Sequence, residues 1–395
     1  MSWLRFCLDG MMMIDDSQKP MLRFLAVLTA ASMIGIQGFT ILFNNFAVEV
    51  VELQGNQVGI IQSFREVPGF LALLVVYVML FIREHRLSAL SIALLGIGVA
   101  LTGLFPSYGG VICTTIIMSF GFHFYETTNQ SLTLQYFATN ISPIILGRLR
   151  SLAAASSIAS ALLIWVLGGF LEYRGIFLTI GAIVFAAGCW GLFQDPTHRG
   201  IPHQRLKMVV RRRYWLFYCL TFLSGARRQI FMVFSMFLLV KVFHFSVREV
   251  TALFLLNNGI NWMLNPLIGR AIIAFGERTL CSIEYFGVIF VFLTYAFTTS
   301  KSIAAGVYIL DSILFAFSIA IRTYFHKIAE PADIAPSTAV GFTINHAAAV
   351  FLPALGGYLW MIDYRIPFVA GAALGAVSLL LAQCIRLPAV GQGKQ

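Results

Sequence analysis

Apolar runs, most of them about long enough to cross a bilayer as a helix, follow one another along this chain, with short polar connectors between them. They fall at roughly 22–43, 57–81, 87–105, 109–135, 147–171, 175–194, 214–240, 249–273, 279–299, 303–327, 335–360 and 366–386. None shows the period-2 alternation of a membrane barrel strand. In lipid every backbone polar group must be satisfied within the protein, so the pattern predicts an all-α integral membrane bundle of twelve transmembrane helices. The breaks carry turn and charge signals: Arg83-Glu84-His85-Arg86, Pro106-Ser107, Asn140 to Pro143, Phe275-Gly276-Glu277-Arg278, Glu330-Pro331 and Asp333.

The longest polar connector, 195–213, contains Pro196, Pro202, Arg205, Lys207 and Arg211-Arg212-Arg213. It reads as a solvated basic linker without chemistry of its own, and it separates a six-span half over 1–194 from a second over 214–395. The halves are alike. At an offset of 192, Ser32 matches Ser224, Gln37 matches Gln229, Phe39 matches Phe231 and Arg86 matches Arg278. At an offset of 188, Gly168-Gly169-Phe170-Leu171 matches Gly356-Gly357-Tyr358-Leu359, and Arg174 and Arg365 follow shortly after. Repeated halves are characteristic of transporters that alternate access between the two sides of a membrane.

Composition sharpens this picture. Only 11% of the 395 residues are charged, against about 25% in soluble proteins. The net charge of +10 is a topology signal, not a nucleic-acid footprint. With the N-terminus inside, 19 Lys and Arg fall in inner segments, 5 in outer segments and 3 within spans. Both termini are therefore expected in the cytoplasm of a cell with this protein in its plasma membrane, a bacterial inner membrane. Residues 1–21 lack a small-residue cleavage site after an apolar core, so the first helix is expected to be retained, and Met11-Met12-Met13 leaves the start codon open. Six scattered cysteines without a CxxC pair read as small buried hydrophobes. There is no GxxxxGK[ST] loop and no nucleophile-base-orienter set, so neither an enzyme nor a cofactor is expected.

On these features the chain resembles the major facilitator superfamily. One local motif supports the resemblance. The family often carries a loop after the second helix of each half with glycines and basic residues at set spacing. Here the second-half version reads Gly269-Arg270-Ala271-Ile272-Ile273-Ala274-Phe275-Gly276-Glu277-Arg278, with Ile273 at the family's acidic position. The first-half version, ending in Arg83-Glu84-His85-Arg86, lacks the glycines. Pro353-Ala354-Leu355-Gly356-Gly357 resembles a motif of drug/proton antiporters, which in that family lies in the fifth span, where Leu167-Gly168-Gly169 lacks the proline. The resemblance implies two six-helix halves related by pseudo-two-fold symmetry and a monomer that rocks around a midplane site.

Charges inside the spans point to the chemistry, because an ionised side chain in hydrocarbon persists where it faces a cavity, a partner or a substrate. Arg227 and Arg228 lie near the middle of span seven. Adjacent helix positions point about 100° apart, so one is expected in the central cavity and the other on a neighbouring helix. An arginine in the cavity suits a carboxylate or phosphate; the alternative is a structural partner for Glu66 or Asp311. Arg65 and Glu66 in span two fall opposite Asn257 and Asn258 at the 192 offset and read as a gate charge pair, with Arg278 as a structural charge of the loop motif. In span four, His123 and Glu126 share a face that Gln130 continues. Glu126 is the expected proton carrier and His123 its modulator, with Asp311 as a second proton candidate. The other reading is a hydrogen-bonded packing face. No metal set is expected, because no second Asp/Glu/His pair stands at ligand spacing near His123 and Glu126. Gln37, Gln229, Asn257, Asn258, Asn261, Asn345 and His346 are expected to hydrogen-bond a solute, and Tyr125, Trp262 and Phe231 to supply walls.

The sequence thus predicts a secondary active transporter, coupled to protons, that moves a small organic anion or zwitterion. A drug-type proton antiporter for lipophilic compounds and a non-transporting receptor on the same scaffold are the alternatives.

Overall fold

The computed structural model describes residues 15–53, 55–197, 204, 207–245 and 247–386, with backbone only at several positions within 44–59, 247–251 and 350–358. Cys7, Met11 to Met13, Arg5, Arg199, Pro202, Arg205 and Lys394 lie outside the described residues, as do the side chains of Arg248, Pro353, Ala354 and Tyr358.

Twelve helical spans follow in order. In the first half they are α1 (Lys19–Glu49), α2 (Gly55–Phe70, continuing through Leu71–Leu74 to Val75–Val78), α3 (Glu84–Thr102), α4 (Tyr108–Tyr136), α5 (Ser142–Leu167) and α6 (Tyr173–Leu192). In the second they are α7 (Trp215–Ile230, Phe231–Ser235 and Met236–Lys241), α8 (Val247–Phe275), α9 (Glu277–Phe297), α10 (Lys301–Ala316 and Ile319–Ile328), α11 (Ile334–Ile362) and α12 (Arg365–Ala382). Local chemistry sets their ends. The Ser107 side chain accepts from Gly110 N at 3.1 Å to cap α4. Pro143 opens α5, where its missing N–H costs nothing. Gly276, at φ +79°, turns α8 into α9 through a conformation that few other residues adopt.

Three spans are interrupted. α2 contains Pro68 and tightens into a 3₁₀ stretch over Leu71–Leu74. α7 widens into a π-helical turn over Phe231–Ser235. α10 breaks between Ala316 and Ile319. Backbone groups freed at membrane depth need partners inside the protein, and two of these breaks find them across the molecule. Leu73 N donates to Thr343 Oγ1 of α11 at 2.9 Å, and Arg150 Nη1 of α5 donates to Ala316 O at 3.2 Å.

Small residues bring helices into backbone contact. A Cβ added at Gly181 of α6 would lie 2.5 Å from Ala100 N of α3, and one at Gly121 of α4 would lie 2.4 Å from Leu95 N. Gly181→Val is therefore expected to lower stability by about 1–3 kcal/mol, the usual cost of overpacking. Gly306→Ala, whose added carbon meets nothing within 4 Å, is expected to be neutral. Thermal unfolding of the detergent-solubilised protein distinguishes the two.

Hydrogen bonds between the halves lie toward the face on which α1 begins and α12 ends, here the terminal face. They include Leu73 to Thr343, Ser142 to His326 at 3.0 Å, Arg150 to the α10 break and Ser151 to the Trp262 carbonyl. The last residues of the connector are anchored there as well. Arg211 bonds Glu330 and buried Asp333 at 2.9 and 2.7 Å, and Arg213 bonds Glu330 at 2.7 Å. This corrects the reading of 195–213 as a plain tether: its end is latched to the loop before α11.

Candidate functional site

A cavity of about 300 Å³ lies at the centre of the bundle, between α1, α4 and α5 of the first half and α7, α8, α10 and α11 of the second. A narrower space of about 70 Å³, between α4, α7, α10 and α11, shares Glu126, Gln130, Arg228, Phe315, Arg322 and Phe342 with it. Apolar walls come from Met33, Phe122 and Phe315.

Three arginines converge on this space. Arg228 projects from α7 with its guanidinium 5.0 Å above the Phe315 ring. Arg322 projects from the second segment of α10 into both chambers. Arg150 rises from α5, where it also donates to Ser318 Oγ at 3.2 Å and so ties down the α10 break. Arg150 and Arg322 correct the sequence reading, which counted them with the inner connectors. They lie on helices and line the cavity. Glu126 of α4 faces the same space with Gln130 one turn on. Tyr125 forms part of the wall, its hydroxyl paired with Thr29 Oγ1 at 2.9 Å.

The two neighbouring arginines of α7 part company as helix geometry requires. Arg227 is 3% exposed and turns to α9, where Nη2 meets Glu284 Oε1 at 3.4 Å, Nε donates to Leu223 O at 3.3 Å, and the guanidinium lies 4.4 Å over Tyr285. Asp311 is buried in the same side chamber with Arg227, Arg228 and Glu284. Arg227 is thus held in a structural ion pair, away from the main cavity. The sequence reading passed over Glu284, although a lone acidic residue inside the apolar run 279–299 was signal enough.

The remaining candidates divide. Gln37, Asn258 and Asn261 line the cavity, with Asn261 Nδ2 donating to Ser312 Oγ at 2.8 Å. Asn345 and His346 line the narrower space, and Asn345 Nδ2 donates to Thr221 O at 3.2 Å. Asn257 is buried but does not line the cavity, nor do Gln229, Trp262 and Phe231; Phe231 stacks on Tyr308. Ser32, Asn129 and Asn265 line it and were not singled out. His123 does not share the cavity with Glu126. It turns toward α11 and meets His346 ring to ring at 4.7 Å. Arg65 and Glu66 pair with each other at 3.1 Å, and Glu66 reaches these two histidines. The three groups come from three different helices and not from spacing along one helix. Arg278 ties α9 to α12 through Gln383 Oε1 at 2.9 Å, a structural contact.

No family and no curated relative matches this chain at a significant level. Solved structures do. The chain is similar to the human organic anion transporter MFSD10 (TETRAN), with a TM-score of 0.72 at 11% identity, covering 93% of this chain and 99% of that one. It is similar to a major facilitator superfamily transporter, FucP, in the outward conformation, with a TM-score of 0.72 at 13% identity, covering 93% and 99%, and to a single-residue variant of the E. coli fucose:proton symporter FucP, with a TM-score of 0.72 at 12% identity, covering 93% and 98%. It is also similar to a bacterial homologue of the iron transporter ferroportin in the outward-facing state, with a TM-score of 0.75 at 11% identity, covering 92% and 98%. Twelve spans in two six-helix halves around a central cavity, matched over nearly the whole length, give this chain the fold of the major facilitator superfamily.

Proposed function

We propose that this protein is a secondary transporter for a small organic anion, driven by protons and working by alternating access of two halves, 1–194 and 214–395. The observation that carries the reading is the cavity itself. It has the size of a small-molecule site, and Arg228, Arg322 and Arg150 face it with Glu126 as the acidic counterpart. Guanidinium groups are suited to a carboxylate or phosphate through paired donors. One of the structural neighbours is described as an organic anion transporter and another as a proton symporter, which is compatible with this reading.

The coupling we propose is competitive. When Glu126 is ionised it competes with the substrate for Arg322 and Arg150. A proton on Glu126 removes that competition, so proton and anion enter together. With the contacts between the halves gathered at the terminal face, and that face taken as cytoplasmic from the basic-residue count, the cavity belongs to an outward-facing state. Proteoliposome uptake under an imposed pH gradient tests the scheme. Glu126→Gln is expected to uncouple uptake from the gradient while leaving counterflow of substrate intact. If both Glu126→Gln and Asp311→Asn retain gradient-driven accumulation, the proton assignment is wrong. Binding without any flux in the native protein would favour a receptor instead.

A further inference from the structure

The junction of α2, α4 and α11 holds a second constellation. Glu66, His123 and His346 each offer one ligand atom, and those atoms lie within 4.8 Å of one another. We propose that these three side chains form a binding site for a first-row divalent transition-metal ion, such as zinc, that bridges the two halves of the protein.

Donor chemistry comes first. Two imidazoles and one carboxylate are a common set for such an ion, with a fourth position left for water or another group. A tetrahedral site with bonds of about 2.0–2.1 Å has ligand atoms about 3.4 Å apart, which these side chains reach by small rotations.

The state of each nitrogen comes next. His346 Nδ1 lies 3.0 Å from the Phe342 carbonyl. A carbonyl only accepts, so Nδ1 carries the proton and Nε2 presents a lone pair. This is the arrangement in which a backbone carbonyl orients a metal-binding imidazole. His123 is 4% exposed, and its Nδ1 has no hydrogen-bond partner among the described residues. A buried, unpartnered imidazole nitrogen is costly, and a metal ion would satisfy it. On the carboxylate, Arg65 Nε and Nη2 both bond Glu66 Oε1, at 3.3 and 3.1 Å, which fixes the group and leaves Oε2 for a ligand.

The backbone makes room for this meeting. At Gly69, one turn from Glu66, an added Cβ would stand 2.5 Å from His346 Cδ2 and 3.0 Å from His123 Cε1. Only glycine lets α2 approach both rings. Because Glu66 and His123 belong to the first half and His346 to the second, the ligand set is complete only when α11 packs against α2 and α4. Whatever binds it stabilises that packing.

The test uses the full-length protein in detergent, stripped with chelator and titrated with zinc chloride by calorimetry and by thermal unfolding. One zinc per chain and a raised unfolding temperature are expected. His123→Gln and His346→Gln are each expected to weaken this binding at least about 100-fold, beyond the 10–100-fold typical of outer-shell partners. Gly69→Ala, which keeps all three ligands, is expected to weaken it by displacing both rings. His326→Gln, bonded to Ser142 on another helix pair, is expected to leave it unchanged. Cobalt(II) substituted for zinc in the native chain is expected to give the absorption of a nitrogen-ligated, low-symmetry site. That measurement decides the matter if a histidine variant does not fold. Failure to bind one zinc, or affinity unchanged from the native protein in both histidine variants, overturns the proposal. None of these readouts depends on transport.

Discussion

Arg228→Ala is expected to abolish accumulation of the anionic substrate and to weaken its binding about 100-fold. Arg228 is exposed within the cavity and leans on Phe315 instead of on an acidic partner. Its donors are therefore available to a ligand. A hydrogen bond to a charged group is worth about 1.5–3 kcal/mol, and two of them in a fork exceed the ~2.8 kcal/mol that corresponds to a factor of 100. Arg228→Lys keeps the charge and loses the planar fork, so about a tenfold loss is expected. Arg322→Ala should resemble Arg228→Ala. Arg150→Ala should differ, because Arg150 also holds Ala316 O and Ser318 Oγ at the α10 break; it is expected to lose stability as well as affinity. The measurement is thermal-shift screening of the native protein against carboxylates and phosphates, followed by calorimetry and uptake on the variants with whichever compound binds. An Arg228→Ala protein that binds and accumulates that compound as the native protein does would remove the anion assignment.

The fold was legible in the sequence because hydrophobic length is a one-dimensional signal. All twelve spans were placed, and even the polar α4, α8 and α11 showed as runs between turn residues. The site was only partly legible, for two physical reasons. Depth was misjudged where a helix begins before its apolar stretch does. α5 starts at Ser142, five residues ahead of the predicted span, so Arg150 sits more than two turns inside the helix instead of at its mouth. Direction was misjudged where two faces of one helix serve different neighbours. His123 and Glu126 are three residues apart, yet Glu126 faces the cavity and His123 packs on His346 of α11. Periodicity along one helix carries no information about which helix lies opposite. The same limit hid the Glu66, His123 and His346 cluster, whose members come from three helices. By contrast, the divergence of Arg227 and Arg228 was foreseeable, since it needs only the angle between consecutive residues.

That divergence supports the second large effect. Arg227→Met alone is expected to destabilise the protein by about 3–5 kcal/mol, the usual consequence of leaving one member of a buried ion pair without its partner. The pair is well enclosed, with side-chain exposures of 4% for Arg227 and 2% for Glu284. Its loss would be aggravated by Asp311, which shares the chamber and would then face Glu284 with Arg227 gone. Glu284→Met alone is expected to cost less, because Asp311 remains as a counter-charge and the Tyr285 ring and the Leu223 carbonyl continue to hold the guanidinium. The double variant Arg227→Met/Glu284→Met replaces both charges by apolar groups of similar length, and well-packed replacements of this kind are often neutral. It is expected to recover most of the stability lost in Arg227→Met, with a coupling energy in the double-mutant cycle that exceeds the 0.3–0.5 kcal/mol scatter of roughly independent sites. Substrate binding should return with it, since Arg228 is untouched. Unfolding in detergent gives the energies, and ligand titration of the double variant gives the role. A double variant that is as stable as the native protein but blind to substrate would place Arg227 in the binding site after all, with Glu284 as the group that holds it between turnovers.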